Sequence, residues 1–189
     1  MRVELLYDAK AWLGEGPVWD SRTQTLYWLD ILNKRIHAGS GILAEFDDFI
    51  GCITPRHSGG LVLTKRFSFW TFDLDSASST FLASLTDEPP NNRFNDGKCD
   101  PRGRFSAGTM DINEKDPTGS LYSFDGKFIT KLLTGVTISN GMAWSPDEKT
   151  YYYIDSPTHE VKAVDYDLDT GLIANPRVVV TVPEFLGWP

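Results

Sequence analysis

The chain has 189 residues, 41% of them hydrophobic and 23% charged, enough for one domain with a packed core. Its net charge of −8 comes with no clustered Lys or Arg, which argues against a nucleic-acid partner or an anionic membrane. The N-terminus MRVELLYDAK lacks an apolar signal core, and no apolar run of about eighteen residues exists, so the sequence reads as soluble and cytoplasmic.

Aromatic residues make up 13% of the chain, and Gly and Pro are scattered along it, a mix that suits many short strands joined by tight turns. Val3-Glu-Leu-Leu-Tyr7 predicts a leading strand without an evident partner. Gly16-Pro-Val-Trp19, a polar turn and Leu26-Tyr-Trp-Leu-Asp30 open a first unit. Gly51-Cys-Ile-Thr-Pro55 with Gly60-Leu-Val-Leu-Thr64 opens a second, the weakest match. Asn95-Asp-Gly-Lys-Cys-Asp-Pro101 with Arg104-Phe-Ser-Ala-Gly-Thr-Met110 opens a third. Gly141-Met-Ala-Trp144 with Tyr151-Tyr-Tyr-Ile-Asp155 opens a fourth. At a constant offset of 125 the first and fourth units share Gly16/Gly141, Trp19/Trp144, Thr25/Thr150, Tyr27/Tyr152 and Asp30/Asp155. Unit starts near 16, 51, 96 and 141 give a period of roughly 35–45 residues, that of four-stranded propeller blades.

In the fourth unit the strands are expected at about 141–145, 151–156, 160–167 and 177–182. Turns are expected at Ser145-Pro-Asp-Glu148, Asp167-Leu-Asp-Thr-Gly171 and Phe124-Asp-Gly126. The fold expected is all-β, a partial propeller of about four blades forming one domain over 1–189; a β-sandwich is the competing fold. A four-blade arc leaves sheet edges and a blade face bare, so further blades are expected after Pro189, and this chain alone should be poorly soluble.

Equivalent positions in successive blades converge on the central channel. Glu15 stands before Gly16, Asn140 before Gly141 and Asn95 before Asp96-Gly97. Oxygen donors converging on a channel are what a hard divalent cation uses. Asn-Gly also makes ordinary turns, so turn and ligand are both open on position alone. A carboxylate inside Gly-Glu-Gly-Pro favours the ligand.

Gly14-Glu-Gly-Pro-Val-Trp19, Arg93-Phe-Asn-Asp-Gly-Lys98, Ala107-Gly-Thr-Met110, Ile138-Ser-Asn-Gly141 and Tyr151-Tyr-Tyr-Ile-Asp-Ser156 resemble the signature segments of the SMP-30/gluconolactonase (regucalcin-like) family, in order and across essentially the whole chain. The resemblance implies a six-bladed propeller with one divalent metal (calcium, magnesium, manganese, zinc or iron(II)) in its channel. It implies Glu15 and Asn140 as metal ligands, and Arg93 and Asn95 as contacts to a sugar lactone, Asn95 close to the metal. A third ligand and general base, an Asp, would follow Pro189. An acidic substrate contact usually follows the Gly-Thr-Met segment; Asp111 and Glu114 flank that place and an ungapped count lands on Asn113. The implied reaction is metal-assisted hydrolysis of a cyclic ester. The alternatives are a non-catalytic calcium-binding or regulatory propeller and an inactive truncated product.

Other signals read as structure. Gly14 and Gly16 do not extend to a dinucleotide motif. Cys52 and Cys99 read as small buried residues in a reducing compartment, His37, His57 and His159 as surface residues, and the Trp and Tyr residues as inter-blade core. Asp73-Leu-Asp75 and Asp165-Tyr-Asp-Leu-Asp169 read as turns, without the Gly and terminal Glu of an EF-hand. Arg93, apart from the resemblance, could be a structural ion-pair partner.

Overall fold

The computed structural model describes residues 2–189, folded into sixteen strands in four antiparallel four-stranded sheets. The first sheet is β1 (Gly14–Asp20), β2 (Thr25–Asp30), β3 (Arg35–Ala38) and β4 (Gly41–Glu45). The second is β5 (Ile50–Pro55), β6 (Leu61–Lys65), β7 (Ser68–Phe72) and β8 (Ser79–Ser84). The third is β9 (Asn92–Cys99), β10 (Phe105–Asp111), β11 (Gly119–Phe124) and β12 (Ile129–Val136). The fourth is β13 (Ser139–Trp144), β14 (Thr150–Asp155), β15 (Glu160–Tyr166) and β16 (Ile173–Thr181). Each is a meander whose strands pair in chain order, the form of a propeller blade. Four such blades are the arc expected of a six-bladed ring.

The core lies between blades. Tyr27, Leu29, Ile36, Ile53, Leu63 and Phe72 join the first to the second. Phe69, Phe94, Phe105, Tyr122 and Phe124 join the second to the third. Leu121, Met142, Tyr151, Tyr153 and Tyr166 join the third to the fourth. Phe69 has no exposure; its ring stacks on Phe124 at 4.6 Å and meets Phe94 edge-on at 5.0 Å. Strands with alternating side chains bury both faces in the second and third blades, which pack between two others.

Several expectations need correction. Residues 3–7 form no strand, and Val3, Leu5 and Leu6 are exposed; a strand needs a hydrogen-bonding neighbour, and none stands there among the described residues. In the fourth blade β13 begins two residues earlier than expected and β16 four, so Asn140 lies inside its strand. His37 is buried and stacks on Trp28 at 3.8 Å, with neither ring nitrogen partnered. Burial lowers its pKa. His159 is half-buried, and only His57 is a surface residue. The Tyr residues of the inter-blade core are buried and Trp70 and Trp144 pack against it, as expected, whereas Trp12, Trp19 and Trp188 are exposed. Cys52 is buried and Cys99 half-buried, both as free thiols.

The predicted turns form. Glu148 N–H bonds to Ser145 O and Gly171 N–H to Asp167 O. Asp73 and Asp167 each accept backbone N–H groups ahead of them, at Ser76 and at Asp169 and Thr170, which is turn chemistry. Among the described residues no helix is long and apolar enough to cross a membrane.

Candidate functional site

Glu15 and Asn140 stand at the same irregularity in two blades. The β1–β2 register runs from Glu15↔Leu29 to Val18↔Tyr27, and the β13–β14 register from Asn140↔Ile154 to Met142↔Tyr153. Both bulges turn on a glycine with positive φ, +55° at Gly16 and +40° at Gly141. Glu15 Oε2 accepts the Gly16 N–H at 3.1 Å, and Asn140 Oδ1 accepts the Gly141 N–H at 3.3 Å. The bulge thus presents one oxygen-bearing side chain per blade at the head of the innermost strand.

In the third blade the β9–β10 register runs from Phe94↔Thr109 to Gly97↔Ala107, so Asn95 and Asp96 both lie in the irregularity. Asp96 Oδ1 accepts the Gly97 N–H at 2.7 Å, while the residue opposite Met110, as Glu15 is opposite Leu29 and Asn140 opposite Ile154, is Arg93. In the second blade the residue before Gly51 is the buried Ile50, and no donor stands there. Glu15, Cys52, Asp96, Lys98, Gly141 and Met142, from the four innermost strands, line a cavity of about 350 Å³ along the channel. Burial raises the Asp96 pKa; the Gly97 N–H opposes this and the Glu15 charge adds to it.

Asn95 is held at both ends of its amide. It is buried, its Oδ1 accepts from Arg93 Nη1 at 2.8 Å, and its Nδ2 donates to Ser139 O at 2.9 Å, next to Asn140. Tyr153 donates its hydroxyl to Ser139 Oγ at 2.9 Å. Gly108 makes this junction possible, since a Cβ there would lie 1.8 Å from Ser139 Oγ. The Ala-Gly-Thr-Met segment therefore carries a packing requirement at the site.

Arg93 is 3% exposed, and among the described residues no carboxylate lies within 4.0 Å of it. A structural ion pair does not account for it. Burial pulls its pKa down to about 10, while the charges of Glu114 and Glu15 push it up and Arg66 adds to the fall. Of the three candidates for an acidic contact, Asp111 is taken up by its own loop, accepting from Asn113 Nδ2 at 3.3 Å and the Lys115 N–H at 3.4 Å. Asn113 and Glu114 are exposed, and the charge of Glu114 acts on Arg93.

Asn140 Nδ2 donates to Ser156 Oγ at 3.2 Å, and Ser156 Oγ donates to Pro189 O at 3.0 Å, so the chain at Pro189 runs beside Asn140. The described residues contain no group of three His, Cys, Asp or Glu able to hold a metal. The carboxylate of Glu15 and the carboxamide oxygen of Asn140 are donors of the type a hard divalent cation takes.

Residues 13–189 match the model of the SMP-30/gluconolactonase/LRE-like region. The chain belongs to this family. Regucalcin from Danio rerio is 35% identical over 197 residues, covering 100% of this chain and 66% of that protein. A solved luciferin-regenerating enzyme is similar at a TM-score of 0.82 and 35% identity, covering 89% of this chain and 61% of the other. A calcium-binding protein, regucalcin, from Agrobacterium tumefaciens aligns at a TM-score of 0.87 and 26% identity, covering 93% and 62%. This member of the SMP-30/gluconolactonase family therefore spans about two thirds of the length of the relatives it matches.

Proposed function

We propose that this chain carries part of a divalent-cation site for the hydrolysis of a sugar lactone to its aldonic acid. The observation that supports this most is the twice-built bulge that presents Glu15 and Asn140 at equivalent places around one channel. Oxygen-only donors fit calcium, magnesium or manganese best, and calcium agrees with what the bacterial relative is described as binding. When bound, a divalent cation supplies Lewis-acid polarisation of a carbonyl. Glu15 and Asn140 would hold it. Arg93, a cation without a carboxylate partner, would donate to lactone oxygens. Asn95 would fix Arg93 and orient the ring, with Glu114 accepting from a sugar hydroxyl at the rim. The third carboxylate implied by the family resemblance, placed after Pro189, would serve as general base.

The test is acid release from glucono-1,5-lactone above the spontaneous rate, with calcium, manganese or zinc and then with chelator. Turnover that needs metal and is lost in Glu15→Gln supports the reading. Metal binding without turnover, in this chain and in one extended past Pro189, would replace it with a calcium-binding propeller, the second reading favoured by the regucalcin relatives.

A further inference from the structure

Two buried carboxylates outside the channel are built into the structure at the same offset as the predicted ligands. Asp30, 2% exposed at the end of β2, accepts the Trp12 N–H on Oδ2 at 3.2 Å and the Leu13 N–H on Oδ1 at 3.1 Å. Asp155, 8% exposed at the end of β14, accepts the Thr137 N–H on Oδ2 at 3.0 Å and the Ile138 N–H on Oδ1 at 2.8 Å. Each carboxylate spans two consecutive peptide N–H groups. The carbonyl of the second residue is held as well, since Leu13 O accepts the Ile31 N–H and Ile138 O accepts the Ser156 N–H. Leu13 and Ile138 are thereby fixed at both backbone polar groups. Two residues later come Glu15 and Asn140.

The other two blades lack this device. The second ends β6 with Lys65 in place of an Asp. In the third, Asp111 stands at the matching strand end but turns forward to Asn113 and Lys115. There the strand entries are held from one side, by the Arg66 N–H on Phe49 O and the Ile112 N–H on Asn91 O. The carboxylate clamp therefore occurs in the two blades that carry predicted metal ligands and in neither of the others. Burying a carboxylate against backbone is expensive unless its oxygens are bonded. A repeated fold has no need to do so in two blades and not in two others.

The geometry points to Asp30 and Asp155 as positioning residues that fix the heads of β1 and β13 so that Glu15 and Asn140 meet a single cation. This rests on the proposed metal site. A carboxylate accepting two adjacent N–H groups sets the orientation of the peptide between them and so the direction in which the strand leaves. Outer partners that orient ligands typically change metal affinity by about 10–100-fold when removed.

The test uses Asp30→Asn and Asp155→Asn, which keep the side-chain shape but turn one acceptor into a donor facing an N–H. Mn²⁺ affinity is measured by calorimetry, and amide exchange at residues 12–13 and 137–138 by mass spectrometry. Asp125→Asn is the control, a carboxylate that accepts the two consecutive N–H groups of Lys127 and Phe128 in a blade without a predicted metal ligand. The expected result is faster exchange at the affected strand entry and a loss of Mn²⁺ affinity of about 10–100-fold, with a change below about twofold in the control. Should Asp30→Asn fail to fold, Asn33→Ala removes the 2.6 Å bond that orients the same carboxylate and gives a graded form of the loss. Unchanged affinity in the clamp variants, with binding abolished in Glu15→Gln, overturns the positioning role and leaves the metal site standing. No Mn²⁺ binding by the unsubstituted protein overturns the metal site and the role together, while exchange still shows whether the clamps hold the backbone.

Discussion

Gly141→Ala tests the bulge that presents Asn140. At Gly141 φ is +40°, and an added Cβ would lie 2.6 Å from Ile154 Cδ1, 3.1 Å from Cγ1 and 3.3 Å from Cβ. The left-handed backbone alone costs a residue with Cβ about 1–2 kcal/mol. Relieving an overlap of this size in packed surroundings adds about 1–3 kcal/mol. The substitution should therefore destabilise by about 2–5 kcal/mol, read as the shift in a urea midpoint at unchanged slope. Ile154→Val deletes Cδ1, the atom at 2.6 Å, and alone should cost about 0.5–1.5 kcal/mol. The double variant should be more stable than the sum of the two effects predicts, by about 1 kcal/mol, because the clash is shared and the backbone strain is not. Additive effects would refute the contact, and a Gly141→Ala effect below about 0.5 kcal/mol would refute the strained bulge as well.

Phe69→Ala removes the ring at the centre of the second inter-blade core and should cost about 3–5 kcal/mol in chemical denaturation. Tyr153→Phe deletes the donor to Ser139 Oγ and should cost about 1–2 kcal/mol, with faster exchange in β13. Burial pushes the Asp30 carboxyl up, but bonds from Asn33, Leu13 and Trp12 outweigh it and hold its pKa below the ordinary Asp value. Its stabilisation is therefore present above the unfolded pKa of about 3.9 and is lost as pH falls through the lower folded value. Midpoints measured across that acid range should fall more steeply for the unsubstituted protein than for Asp30→Asn; parallel curves would contradict the bonding.

Much of the arc was legible because blades repeat. The identities between residues 16–30 and 141–155 mark matching bulges, strands and clamps, and the period marks four sheets. What the sequence hid has local causes. That Arg93 stands opposite Met110 as Glu15 stands opposite Leu29 appears only once the strands pair. His37 looked like a surface residue because its ring stack with Trp28 depends on β2 and β3 pairing in one register. Val3–Tyr7 has strand composition but, among the described residues, no strand beside it. Asp30 and Asp155 were visible as a repeat, but their contact with residues seventeen and eighteen positions earlier appears only when the sheet is assembled.

The most direct test of the central claim is calorimetric titration of the purified protein with Ca²⁺ and Mn²⁺, beside Glu15→Gln and Asn140→Leu. One divalent site is expected, lost in Glu15→Gln and weakened in Asn140→Leu, with folding and the acid limb of stability otherwise preserved. Binding that is indifferent to both substitutions, or no binding, would contradict it.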